Sequence, residues 1–261
     1  MTVAMETLEN ARPDPKALLG DQVQMVFRRQ WPALVLFLVL TGVYSAVPAF
    51  TSSAEMASDL FSAGRFGSPG SSLVALVSLF WAMVVWSDFP PGSRLFYRIQ
   101  PLGAAGRFGF RIASGALLLL GSILAGLVMG SLTVFVLHAA GPSYFINGWT
   151  PAGLGLLLLG GLNAYLVGTL FALWLRRPEV WALIGVPVVM SSLMWIFAVI
   201  GLTGVSQAIA RVFKFVVEGM GVWLASTSSG LRGTGPVWPV IICMLFLVPA
   251  TWYSMVRHRA E

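Results

Sequence analysis

Six long apolar stretches, separated by short polar segments, organise the chain from Trp31 onward: Trp31–Phe50, Ser71–Ser87, Ile112–Ala140, Leu154–Leu175, Val180–Leu202 and Val237–Val256. None holds an Asp, Glu, Lys or Arg in its interior. Each is long enough, or nearly so, to cross about 30 Å of hydrocarbon as a helix. Lipid offers no partner for backbone N–H and C=O groups, so spanning segments are helices or closed barrels. These unbroken apolar runs lack the alternation of a barrel strand. The pattern predicts an all-α polytopic membrane protein with six transmembrane helices, residues 31–261 forming one spanning domain.

Two segments outside the stretches are amphipathic at helical period. Within residues 1–30, Asp14-Pro15 reads as an N-cap followed by proline at the first helical position. Leu19, Val23, Val26 and Phe27 then share a face opposite Asp21, Gln24 and Arg28. The junction Arg28-Arg29-Gln30-Trp31, basic then aromatic, suits a headgroup region, so this helix is expected to lie along the inner leaflet. A plain topology anchor gives the same pattern. Between spans five and six, in residues 203–236, Ile209, Val212, Phe213, Val216, Met220 and Trp223 recur on one side, and Gln207, Arg211, Lys214 and Glu218 on the other. This predicts an external helix on or dipping into the outer leaflet. Phe213, Val216, Met220 and Trp223 either cap a passage as a gate or rest on lipid.

Composition narrows the class further. With 57% hydrophobic and 10% charged residues and a mean hydropathy of +0.83, the chain carries far less charge than the roughly 25% of soluble proteins. Its longest polar segments, Met1–Gln30, Ser87–Arg111 and Thr203–Pro236, are each too short to bury a core. The spans are therefore the functional body. Met1–Pro15 is polar, with Glu6, Glu9 and Asp14, unlike the basic start and short apolar core of a secretory signal. The first span is expected to belong to the mature protein.

Basic residues set the orientation, because positive loops stay on the cytoplasmic side. With the N-terminus inside, the outer segments hold Arg65, Arg211, Lys214 and Arg232, and the other twelve of the sixteen Lys and Arg residues fall inside. Both termini are expected in the cytoplasm, and the chain in the plasma (inner, cytoplasmic) membrane of a bacterium. The net charge of +6 reads as this topology signal; nucleic-acid binding needs basic residues gathered on a soluble face. One cysteine, Cys243, and two histidines, His138 and His258, leave no internal disulfide, cysteine cluster or multi-histidine metal centre.

The loop over residues 88–111 carries the most functional information. Pro90, Pro91 and Gly92 end span two, a short helix is expected over Gly92–Gln100, and Pro101 stops it before the chain re-enters the membrane. Arg94, Phe96, Tyr97 and Arg98 on that helix combine charge with aromatic surface, as a protein-docking knob does. Arginines that only enforce topology, with aromatics at the interface, give the same sequence.

An acidic residue ending span two, a Gly-Ser pair, an aliphatic-aromatic helix, a proline break and basic residues opening span three stand here as Asp88, Gly92-Ser93, Leu95–Ile99, Pro101-Leu102, Arg107 and Arg111. This arrangement resembles the type-2 ATP-binding-cassette (ABC) transporter permeases, and the resemblance extends over essentially the whole chain. Asp88 stands where glutamate is more usual, and Gln100-Pro101 where Leu-Pro is. The resemblance implies the six-helix membrane subunit of a type V exporter. It pairs with a second permease subunit, identical or homologous, and docks on separate ATPase subunits that bind ATP and Mg. Asp88, Gly92, Ser93, Arg94, Phe96, Tyr97 and Arg98 are then the coupling contacts.

Absent motifs bear on the same question. A phosphate-binding loop needs Gly-x-x-x-x-Gly-Lys-Ser/Thr, and neither Lys16 nor Lys214 has that context. The chain is thus expected to be a transport subunit, with no ATPase and no cofactor of its own. Ion-driven carriers keep ionisable residues within their spans, at about 2.5–3.5 kcal/mol each, and these spans have none. Ser228-Ser229-Gly230 lacks a nearby histidine and reads as a loop. Gly126 and Gly130 on span three, and Gly153, Gly155, Gly160, Gly161 and Gly168 on span four, allow close helix approach. Asn163, Ser191 and Ser192 either glue helices or line a passage. A passage of Ser, Thr, Asn, Gly, Met and aromatic side chains without fixed charge favours an amphipathic or lipophilic cargo: a lipid, a hydrophobic peptide or a drug-like compound, with glycans left open. The competing class is a non-transport membrane scaffold or a small membrane enzyme.

Overall fold

A computed structural model describes residues 15–51, 69–86, 104–138, 151–175, 177–221 and 237–257. Over these residues the protein is helical throughout: α1 (Pro15–Thr51), α2 (Pro69–Trp86), α3 (Ala104–His138), α4 (Pro151–Trp174), α5 (Pro178–Val180), α6 (Val186–Val199), α7 (Thr203–Gly219) and α8 (Val237–Arg257). A π-helical turn, Trp181–Gly185, joins α5 to α6. Among the described residues, Phe108–Gly126, Leu154–Trp174 and Val237–Ser254 are long and apolar enough to cross a membrane, and Val74–Trp86 and Val186–Val199 are shorter apolar helices. The chain is a helical membrane protein.

Helix α4 is the axis of the bundle, and its glycines are the reason. A Cβ on Gly168 meets the Leu79 carbonyl and the Ala82 side chain of α2, and one on Gly161 comes to 3.2 Å from Ser78 Oγ. Bare backbone at both places lets α2 and α4 run side by side in the same direction. Helix α3 runs opposite to both: Trp81 Nε1 donates to the Gly115 carbonyl at 3.0 Å, and Tyr165 Oη donates to the Ile112 carbonyl. Val74, Trp81, Val85, Leu119, Ile123, Leu157 and Tyr165 fill the shared core. Its hydroxyls are satisfied within their own helices, Ser78 on the Val74 carbonyl and Thr169 on the Tyr165 carbonyl. Helix α8 lies along α4 in the same direction, since Asn163 meets Val240 near its start and Trp174 meets Ser254 near its end.

One end of this bundle is basic. Arg111 donates through Nε and Nη2 to the Val85 carbonyl, satisfying an acceptor that the end of α2 leaves open, and stacks 5.2 Å over the Trp86 ring. Trp86 in turn stacks on Phe108, centroids 5.7 Å apart. The first two turns of α3 are thereby locked to the last turn of α2. Gln30 donates to the Val84 carbonyl at 2.9 Å, which brings Arg28 and Arg29 to the same level. Arg177 is the N-cap of α5, three residues past the end of α4, and α8 ends on Arg257.

Helix α1 begins at Pro15, the position that the Asp-Pro pair predicts. It then continues without a break through Pro32 to Thr51, 37 residues in all, where the sequence pattern separates an interfacial helix from span one. Of the apolar face read from sequence, Val26 is buried in the core while Phe27 is exposed. In α6 the wide π turn falls just before Pro187, which has no N–H to give and whose ring crowds the carbonyl four residues earlier. There the Val186 N–H reaches back five residues to the Trp181 carbonyl.

Candidate functional site

Gly201 sets the geometry of the site. The Leu202 N–H bonds to the Phe197 carbonyl and the Gly201 N–H to that of Ala198, with Gly201 at φ +83°. These are the two bonds of a Schellman motif, with glycine at the left-handed position. The N–H groups of Val205 and Ser206 already turn back to the Leu202 carbonyl, so α7 starts within two residues of this turn. A reversal that tight folds α7 back along α6, and Ser206 Oγ donates to the Met194 carbonyl across the pair at 2.9 Å.

Returning along α6, α7 re-enters the bundle. Asn163 lies at the midpoint of α4, roughly 17 Å from either end. Its Nδ2 donates to the Gly219 carbonyl at the end of α7 and to the Val240 carbonyl in the first turn of α8, both at 2.9 Å. Gly219 is bare because α8 lies against it: a Cβ there meets Cys243 Sγ and the Pro239 carbonyl. Both neighbours of the Asn163 amide are acceptors, which fixes its NH2 toward them. Oδ1 is buried and accepts no hydrogen bond. One side chain thus fastens three helices at the middle of the bundle and keeps an open acceptor.

The exterior of α7 has an unequal division. Val217 and Gly219 are buried, while Phe213 and Met220 are half-buried. At 3.6 residues per turn, Gln207, Arg211, Lys214 and Glu218 fall within a strip about 60° wide. Beyond that strip, Val205, Val212 and Val216 are exposed again. Lys214 Nζ and Glu218 pair at 3.7 Å. Arg211 is exposed and forms no ion pair among the described residues. Helix α7 thus carries its ionisable residues back along α6 to end against Asn163.

No family model matches the chain, and neither a curated protein nor a solved structure matches it.

Of the residues singled out from sequence, Asn163 is at the centre of this site. Ser191 and Ser192 are exposed on α6, a helix with no buried residue, so the three do not line one surface. Phe213 and Met220 face the bundle, and Val216 is on the exposed flank. Trp223 and the loop positions Asp88, Gly92, Ser93, Arg94, Phe96, Tyr97 and Arg98 lie outside the described residues. Gly219, Val217 and Cys243 were not expected in the site. Their signal in the sequence is only that a Gly closes an amphipathic helix and that a Cys occupies the next span.

Proposed function

We propose that the chain is the membrane permease subunit of an ATP-driven exporter: six spans with both termini in the cytoplasm, working as a pair and docked on separate ATPase subunits. The observation that supports this most is the return of α7, which folds back along α6 and ends against α4 and α8 at Asn163. A helix that carries Arg211, Lys214 and Glu218 and is hinged at Gly201 gives a permease a polar element that it can open and close. The lock between α2 and α3 supports the coupling half of the proposal. The chain between Trp86 and Ala104 is tied at both ends by Arg111, Trp86 and Phe108, so a push on that segment moves two core helices together. The cargo is an amphipathic molecule, whose polar part follows the α7 strip while its apolar part stays in lipid.

Affinity purification of the tagged full chain from its native membrane, with identification of co-eluting subunits, tests this. A nucleotide-binding ATPase is expected in stoichiometric amount, and Phe96→Ala with Arg98→Ala is expected to weaken its retention or to uncouple its hydrolysis from transport. A chain that purifies alone under conditions preserving other membrane complexes overturns the proposal.

A further inference from the structure

Five apolar helices reach a common limit at the basic end of the bundle. Gln30 and Arg111 bond to the neighbouring Val84 and Val85 carbonyls. The apolar stretch of α1 that opens at Trp31, that of α2 that closes at Trp86 and that of α3 that opens at Phe108 therefore share one level. The apolar stretches of α4 and α8 close at Trp174 and Ser254, which bond to each other. Gly168 lies beside Ala82, and from that pair Trp174 is about 9 Å and Trp86 about 6 Å further along helices that run in the same direction. The two levels thus coincide within a few ångström. Trp31 and Trp174, both exposed, stand at it as aromatic side chains stand at the headgroup level of a membrane.

Helix α1 crosses that level with two unlike sides. At about 100° per residue, Val26, Gln30 and Leu34 centre on the side that packs on the bundle, and all three are buried. Asp21, Gln24, Met25 and Arg28 centre on the opposite side, where with Arg29 they line an open depression of about 380 Å³. The same side continues past the boundary as exposed Val35, Leu36 and Val39. Asp21 and Arg28 are exposed, and neither forms an ion pair among the described residues. From the water side inward the order is carboxylate, amide, guanidinium, apolar surface. A phosphoethanolamine lipid matches it in the same order, with its ammonium outermost, its phosphate at the boundary and its chains below. Helical side chains lean toward the N-terminus, so Arg28, about 10.5 Å from Asp21 along the axis, reaches back toward it and narrows the gap to the scale of one headgroup. We infer that this side of α1 binds one such lipid. The phosphate accepts the paired N–H groups of Arg28, with Arg29 beside it; the ammonium donates to Asp21 and to the Gln24 amide oxygen; a chain lies on Val35, Leu36 and Val39. A choline head has no N–H to donate, and a purely anionic head is repelled by Asp21. The site does not rest on the exporter reading.

The test gives the purified full chain, in detergent, an equimolar mixture of phosphatidylethanolamine, phosphatidylcholine and phosphatidylglycerol with identical chains, and reads the bound lipid by native mass spectrometry. One phosphatidylethanolamine is expected to be retained several-fold over either of the others. Arg28→Gln is expected to lose it, and Asp21→Asn to keep a lipid without distinguishing ethanolamine from choline. Asp21→Lys is expected to turn the preference to phosphatidylglycerol, a gain that a misfolded chain cannot produce. Arg177→Gln, which removes an exposed charge at the same end but on another helix, is expected to leave retention as it is. Equal retention of the three lipids, a preference for ethanolamine that survives Arg28→Gln or Asp21→Lys, or an equal loss with Arg177→Gln overturns the inference and leaves these arginines as a topology anchor. Soluble phosphoethanolamine is expected not to displace the lipid; displacement at equal concentration means that the chains contribute nothing and overturns the site as described. None of these outcomes depends on an ATPase, so the lipid site and the exporter proposal can fail separately.

Discussion

At the residue scale, Asn163 and the glycines of α4 answer a question that the sequence leaves open. An amide at membrane depth reads equally as glue or as lining, because composition does not say what it faces. Two carbonyls from two helices take its Nδ2, so half of the side chain is glue and only Oδ1 remains for anything else. Asn163→Leu is expected to lower the stability of the purified chain by about 1–2 kcal/mol, the scale of hydrogen bonds between membrane helices. Thermal unfolding in detergent reads this; an unchanged midpoint means that the bonds contribute nothing net. Span four was legible as glycine-flattened, but not which glycines matter. Gly168 faces backbone of α2, and Gly155 has nothing within 4 Å. Gly168→Leu is expected to cost about 1–3 kcal/mol by overpacking, while Gly155→Ala stays within about 0.5 kcal/mol, as surface changes do. Comparable losses in the two variants contradict the α2–α4 contact.

Among the elements, α7 is the most instructive. Its existence and its polar side follow from period alone, and Gln207, Arg211, Lys214 and Glu218 do share a strip. Its packed side does not follow. In water the apolar face is the buried one, but in lipid both the bundle and the surroundings are apolar, so periodicity separates polar from apolar and nothing finer. The apolar side read from sequence centres near Val216, which is 39% exposed, and omits Val217, which is 9% exposed. Val217→Asp is accordingly expected to reduce folded yield well below that of Val216→Asp, a buried unpaired charge costing several kcal/mol. Size-exclusion recovery compares them, and equal recoveries refute the seating of α7 described above. Helix α1 differs from expectation for a related reason. Its amphipathic first turns resemble a lipid-facing helix, yet Val26 and Gln30 find partners on the bundle, and a protein groove and a bilayer surface select the same pattern.

For the molecule as a whole, helix contacts and helix ends gather Arg28, Arg29, Arg111, Arg177 and Arg257 at one end, the end that the positive-inside count expects in the cytoplasm. Cysteines replacing Ala17 and Glu179, both exposed at or beyond that end, are expected to be shielded from an impermeant reagent in intact cells, and one replacing Thr203 to be labelled. The reverse pattern inverts the topology. The long apolar helices are legible in the sequence because length and composition alone mark them; what the proposed subunit would bind or move depends on surfaces that periodicity does not describe.

The turn at Gly201 also has a meaning for biosynthesis. Carrying Arg211, Lys214 and Glu218, α7 cannot partition into lipid alone, and its docking sites on α4 and α8 are made at different times. The last of them leaves the ribosome after α7 itself. Helix α7 therefore cannot complete its seat until α8 is made and the Asn163 amide closes on both. A chain truncated before Val237 is expected to carry α7 in a protease-sensitive state that the full chain lacks.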